Sequence, residues 1–240
     1  MSKSDPGNAN LLIGVSAVRQ PANQEIGVPG WHSRGYIPHF DGSDVTQHVT
    51  FHLADSLPKS GLLRLESKLK NFTINKRDAE RRKRVDAWVD AGHGSCVLRK
   101  PKLAQMAQES LLTFDSERYL LLAWVVMPNH VHVLFQPIQG WTVARIVTAW
   151  KKFTARKICD DRQVSSGTPI WHREYCDRYI RDQAHLEQVI QYIHMNPVKA
   201  HLVSEPEKWR WSSAYPGNAH SFPSRGPRGM NLLIGVSSDS

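Results

Sequence analysis

Three cysteines in 240 residues, Cys96, Cys159 and Cys176, are too few and too irregularly spaced for a disulfide scaffold or a cysteine-based zinc module. An odd number and no convincing secretion signal point to reduced thiols in the cytoplasm. Long apolar runs are missing as well. The longest, Leu120 to Met127, is far short of the ~20 residues that cross a bilayer, so no membrane partner is expected. Acidic residues are also scarce: 22 Asp and Glu face 31 Lys and Arg, for a net charge of +9. That imbalance points to a polyanionic partner, and nucleic acid fits it best. Apolar residues make up 40% of the chain and there are eight Trp, enough for a real core in one domain.

The most informative segment is Met127-Pro128-Asn129-His130-Val131-His132-Val133-Leu134-Phe135. A strand alternates its faces, so His130 and His132 project to one side and Val131 and Val133 to the other. Two imidazoles then converge on one point, and imidazole is the commonest side-chain metal ligand near neutral pH. A second segment lies downstream. Leu186, Val189, Ile190 and Ile193 recur at i, i+3, i+4, i+7, the buried stripe of a helix over Gln183 to Met195. Tyr192 falls about 120° from the centre of that stripe, and His185, Gln188 and Asn196 fall within about 40° of Tyr192. A phenol is thus presented on a polar face with an amide oxygen one turn later. Pro197 disfavours helical geometry at Asn196, so the helix is expected to end near there. An oxygen ligand beside two nitrogens suits Mg²⁺ or Mn²⁺ better than tetrahedral zinc.

These residues resemble the single-tyrosine HUH transposases, and most closely the REP-associated tyrosine transposases. The resemblance runs from about Arg34 to Tyr215. It is carried by Arg34 to Phe40 (RGYIPHF), Thr46 to Pro58 (TQHVTFHLADSLP) and Trp124 to His132 (WVVMPNHVH). It continues through Trp150 to Thr154 (WKKFT), Trp171 to Asp182 (WHREYCDRYIRD) and the pattern Tyr192-x-x-x-Asn196-Pro197-Val198-Lys199. It implies that His130, His132 and Asn196 bind the metal and that Tyr192 is the nucleophile. It also implies a metal-dependent transposase and endonuclease that cleaves and rejoins single-stranded or REP-type hairpin DNA through a 5′-phosphotyrosine. His201 stands where many relatives have Gly. Two other classes stay open: a DNA-binding protein of the same fold without cleavage, and a metal phosphoesterase that uses water.

Strand, helices, strand-turn-strand, helix and helix read as an α+β fold with an antiparallel sheet and packed helices. The resemblance sharpens this to a ferredoxin-like or RRM-like HUH nuclease fold, with helices on one face. The expected elements are a strand over Val45 to Leu53, a helix over Lys59 to Ala91 and a helix over Pro101 to Leu112. Strands over Tyr119 to Met127 and His130 to Phe135 follow, then a helix over Val143 to Cys159. The organisation expected is an extension over 1–30, one domain over 31–215 and a tail over 216–240. Two basic stretches are candidates for DNA backbone contact. One holds Lys76, Arg77, Arg81, Arg82, Lys83 and Arg84; the other holds Lys151, Lys152, Arg156 and Lys157, with Trp150 and Phe153 alongside for stacking. Asn10 to Ser16 and Asn231 to Ser237 both read NLLIGVS. Two strands pairing with each other would explain the repeat; a duplicated DNA element read through at both ends explains it better. Monomer and homodimer are both open.

Overall fold

The computed structural model describes residues 31–33, 38–40, 45–57, 59–69 and 72–218. The extension over 1–30, the part of the tail beyond 218 and both NLLIGVS copies lie outside the described residues, as does the side chain of Arg82. A short hairpin, β1 (Trp31–Ser33) and β2 (Pro38–Phe40), precedes the main sheet.

The sheet is built around the two strands with the strongest apolar content. β4 (Tyr119–Val126) and β5 (His130–Pro137) form a hairpin whose turn is closed by Met127 N–H donating to the His130 carbonyl at 2.8 Å. β3 (Gln47–His52) pairs with the other edge of β5, and β6 (Cys176–Tyr179) pairs with β3. The order is β4-β5-β3-β6, antiparallel throughout. The expected α+β architecture is therefore present, and β5 lies inside the sheet. β6, in a short and polar segment, is an element that periodicity did not announce.

Every residue of β5 is buried because both faces of the sheet are covered. On one face Val49, Phe51, Val131, Val133 and Phe135 pack beneath α3 (Pro101–Leu112) and α4 (Val143–Arg162). On the other, Ala123, Val125 and Leu134 meet Leu186, Val189 and Ile193 of α5 (Gln183–Lys199). This corrects the expectation of helices on one face: the stripe of α5 needs an apolar partner, and the second face supplies it. Trp150 belongs to the first core at 2% exposure, in ring contact with Phe51, Tyr119 and Phe135, so it is not a stacking surface.

The single helix expected over 59–91 is two, α1 (Lys59–Leu69) and α2 (Ile74–Asp90). Arg77 Nε donates to the Leu69 carbonyl at 2.9 Å and so satisfies an orphan acceptor at the end of α1. Leu65 and Leu69 pack on Val85 and Val89, giving the pair a small core of its own.

α5 starts where Asp182 accepts from His185 N–H at 2.7 Å, a side-chain N-cap. It does not stop at Asn196. Pro197 lies inside the helix, two residues from its end, and Asn196 keeps its helical place. The helix closes with His201 N–H donating to the Val198 carbonyl and Leu202 N–H to the Pro197 carbonyl, both 2.9 Å. That is the Schellman pattern, and it puts His201 at φ +54°, where a Cβ is strained. His201→Gly is expected to raise stability by about 1 kcal/mol, or a few degrees in melting temperature. Thermal unfolding followed by circular dichroism reads this, and an unchanged or lower midpoint would contradict it.

Candidate functional site

The register of β3 and β5 sets His132 opposite Thr50 and His130 opposite His52. Residues 48, 50, 52, 130 and 132 therefore share the face that α5 covers. His130 Nε2 and His132 Nε2 approach to 3.1 Å, and the pair is buried at 1% exposure each. Their outer nitrogens are both engaged. Asn129 spends its Nδ2 on the Val89 and His93 carbonyls, so His130 Nδ1–H donates to Asn129 Oδ1 at 2.8 Å; His132 Nδ1 is hydrogen-bonded to Thr50 Oγ1 at 2.8 Å, with His48 Nε2 at 3.3 Å. His130 thus presents its Nε2 lone pair inward, and with the His132 proton on Nδ1 both Nε2 lone pairs face the same spot. Burial holds both rings neutral: it pushes His130 well below its ordinary pKa, helped by His132, and pushes His132 down to about 3. Two converging neutral lone pairs call for a cation between them.

The third donor is Asp90, the last residue of α2. Its Oδ1 lies 3.5 Å from His130 Nε2 and 3.9 Å from His132 Nε2. That oxygen is buried and has no hydrogen-bond partner, which is costly unless a cation satisfies it. Burial pushes the Asp90 pKa up, while His130 and Asn196 pull it back. Asn196, the ligand expected from the sequence, is in the same place: its Nδ2 is 3.2 Å from His132 Nε2, and it is 2% exposed. A flip of the amide would present Oδ1 instead. Two imidazoles, a carboxylate and an amide oxygen are a donor set for Mn²⁺ or Mg²⁺ rather than for a thiolate-seeking metal. The residues fit a divalent ion.

Tyr192 stands beside this cluster. Its ring centroid is 5.2 Å from that of His132 and 5.9 Å from that of His48, and Lys199 Nζ lies 5.0 Å from its ring. Burial pushes the phenol pKa up, and the nearby charges of Asp90 and Asp86 push it further; a hydrogen bond with Asn196 opposes them. Tyr192 opens onto a cleft of about 440 Å³ walled by β3, β6, α2 and α5. One face of α2, at the helical spacing of Lys83, Asp86, Ala87 and Asp90, looks into it, as do Arg178, His185 and Gln188.

The other basic candidates are dispersed. Lys76, Lys83 and Arg84 are exposed, and Arg84 pairs with Glu80 at 2.9 Å. Arg77 and Arg81 are half-buried, with Arg77 spent on capping α1. Lys152, Arg156 and Lys157 are exposed on α4, on the far side of the sheet from Tyr192. Lys151 is not free: its ammonium donates to the carbonyls of His172 and Arg173 at 2.7 and 2.9 Å, and burial lowers its pKa to about 8.

Sequence reasoning missed Asp90, Asp86, His48, Thr50 and Asn129. His48, Thr50 and His52 alternate in Thr46 to Leu53 as His130 and His132 do in β5, and that signal was readable. Asp86 and Asp90, four apart in a basic helix, were readable as a pair, but nothing local marks what they face.

A sheet that presents paired imidazoles beside a helix-borne tyrosine defines a class, and the comparisons bear on which. Residues 98–196 match the family model described as "Transposase IS200 like". A curated relative from Haemophilus influenzae, described as a REP-associated tyrosine transposase, is 31% identical over 100 residues, 38% of this chain and 57% of the relative. The chain thus matches somewhat more than half the length of that relative. A solved REP-associated tyrosine transposase bound to a REP hairpin aligns at 17% identity with a TM-score of 0.49, covering 77% of this chain and 86% of the other. A transposase structure from Deinococcus radiodurans aligns at 16% identity and a TM-score of 0.28, covering 69% and 96%. The sequence similarity to IS200-like transposases thus spans residues 98–196, and that to the REP-associated relative spans 100 residues. No helix of the described residues is long and apolar enough to cross a membrane.

Two predictions come from this geometry. Asn129 Nδ2 also donates to the carbonyls of Val89 and His93, both at 3.0 Å, so Asn129→Leu strands two buried groups, His130 Nδ1–H and the Val89 carbonyl, and one part-buried carbonyl. We expect a loss of about 2–4 kcal/mol in denaturant unfolding and roughly 10- to 100-fold weaker Mn²⁺ binding by calorimetry. Unchanged Mn²⁺ affinity would contradict the orienting role. The second concerns acid. His52 is held at about 4 by burial and by His172, and His132 at about 3. Both lie below the unfolded value of about 6.5. The unfolded chain therefore binds protons first, and stability present above pH 6.5 is lost as pH falls through 5 and 4. Denaturation midpoints that stay constant from pH 7.5 to 4.5 would rule this out.

Proposed function

We propose that the chain is a transposase-type endonuclease and strand transferase that cuts and rejoins single-stranded DNA through a 5′-phosphotyrosine on Tyr192. REP-type hairpins are the substrate we assign, with residues 31–215 as the working domain. The observation that carries the reading is the placing of Tyr192 5.2 Å, ring to ring, from His132 of the convergent histidine pair. A simple DNA-binding protein has no use for two buried neutral imidazoles, an orphaned carboxylate oxygen and a phenol at one spot.

His130, His132, Asp90 and Asn196 would hold Mg²⁺ or Mn²⁺. When bound, that ion supplies positive charge at the scissile phosphate and offsets the carboxylates that raise the Tyr192 pKa. The chain's own residues do the rest. Asn129 fixes the tautomer of His130, and Thr50 holds the ring of His132 in place. The cleft beside Tyr192 admits a flexible single strand, and Lys83 and Arg178 on its wall meet phosphates. The Tyr192 hydroxyl passes its proton to water in the open cleft and its oxygen attacks phosphorus in line, while a proton from water caps the departing O3′. The P–O3′ bond breaks, a 3′-hydroxyl leaves, and the 5′-phosphate remains on the tyrosine oxygen. The link conserves the phosphodiester's energy, so a 3′-hydroxyl reverses the step and reseals the strand. Imidazoles, carboxylate and phenol all come from one chain, so a monomer suffices for the chemistry and a homodimer is not required. Free thiols at Cys96, Cys159 and Cys176 accord with work in the cytoplasm.

The test is a denaturation-stable adduct between protein and a labelled hairpin oligonucleotide in Mn²⁺. Tyr192→Phe is expected to abolish it while leaving DNA affinity within about twofold. An adduct that survives points to another nucleophile; cleavage without an adduct points to water. His130→Ala, His132→Ala and Asp90→Ala are each expected to lower Mn²⁺ affinity and adduct yield together, by about tenfold or more. Full cleavage in all three would end the metal assignment.

A further inference from the structure

A second basic and aromatic surface lies on the opposite face of the molecule, over α3 and α4. Phe153 is one of two large hydrophobic side chains that are exposed among the described residues, at 38%. It borders a recess of about 290 Å³ between α3 and α4, floored by Trp150 and Phe114. A shallower recess of about 370 Å³ shares Ala149 with it and runs over Trp141 and Lys152. The charged residues lining the two are Arg118, Arg145 and Lys152, all cationic, with no acid among them.

The two arginines are held in place. The Arg118 guanidinium sits 3.3 Å from the centre of the Phe114 ring and 4.5 Å from that of Trp141. Arg145 lies 4.5 Å from Trp141 and also donates to the Gly140 carbonyl at 3.2 Å. Fixed guanidinium planes lose little entropy when they bind an anion, and they stack on bases as well. An exposed ring beside fixed cations combines the two contacts that single strands use, base stacking and backbone charge.

We infer that Phe153, Arg118, Arg145 and Lys152 form a second single-strand DNA binding platform, separate from the catalytic cleft. Phe153 takes one base, and the three cations take the flanking phosphates. The platform rests on the DNA-handling reading for the kind of nucleic acid it holds. It has its own consequence: strands that extend beyond the cleaved site bind more tightly than minimal ones. The surface discriminates against duplex, whose bases are already stacked and cannot cover Phe153.

Fluorescence anisotropy with a labelled dT15 strand and a 15-base-pair duplex tests it. Phe153→Ala is expected to weaken dT15 binding about tenfold, within the range for one stacked base, and to leave duplex binding unchanged. Arg118→Gln with Arg145→Gln is expected to lower the salt slope by up to about two units. Adduct formation on a short hairpin at saturating concentration stays at the wild-type level in these variants. Photocrosslinking of an iodouracil strand to the wild type is expected to label the peptide that contains Phe153. Unchanged dT15 affinity in both variants, with no crosslink there, overturns the platform and leaves the proposed chemistry standing. Equal losses for dT15 and duplex would also overturn it, since backbone charge alone would then explain the surface. If Tyr192→Phe and the wild type both fail to bind any single strand, the DNA reading itself falls.

Discussion

One buried amide holds the site together. Asn129 accepts from His130 with its oxygen and donates with its nitrogen to the carbonyls of Val89 and His93. The first contact sets which nitrogen of His130 carries the proton. The other two tie the end of α2, and so Asp90, to the turn that launches β5. The end of α2 and the start of β5, about 40 residues apart in sequence, are brought together by a side chain that uses both of its donors and one acceptor position on them. At 1% exposure it has no water to fall back on.

The electrostatics follow from burial rather than from nearby charge. Sheet and α5 exclude water from a cluster of His48, His52, His130 and His132, and desolvation is the leading cause of each lowered pKa. The same exclusion raises Asp90 and Tyr192. The site thus stores its histidines as neutral donors and its phenol as a protonated group. A divalent cation is the single species that relieves all three conditions at once.

The sheet was legible because β4 and β5 carry strong apolar runs, and α5 because its stripe recurs at helical spacing. The convergence of His130 and His132 was legible for the same reason: strand alternation is a local rule. Asn196 was reached with more difficulty, since Pro197 argued for an earlier end, and the Schellman closure at His201 is what carries the helix past it. Asp90 was hidden by its neighbours. A carboxylate at the end of a run of lysines and arginines reads as surface charge, and only tertiary docking turns it inward. The break between α1 and α2 falls at the uncharged stretch Asn71 to Asn75 (NFTIN), a signal that was readable and was passed over. Trp150 reads equally as stacking group or core, and the sheet above it decided for core.

Asp90 reaches the histidines from a helical pair whose apolar contacts, Leu65 and Leu69 with Val85 and Val89, form a nucleus apart from the main core. Such a unit has its own opening equilibrium, weaker than that of the sheet. The donor set is complete only while the pair is docked. By linkage, whatever ion the site takes must then hold the pair closed, and undocking must weaken the ion's grip by the same factor. For the ion proposed above, occupancy of the centre and docking of the α1–α2 pair would be coupled equilibria, with Asp90 as the group that couples them.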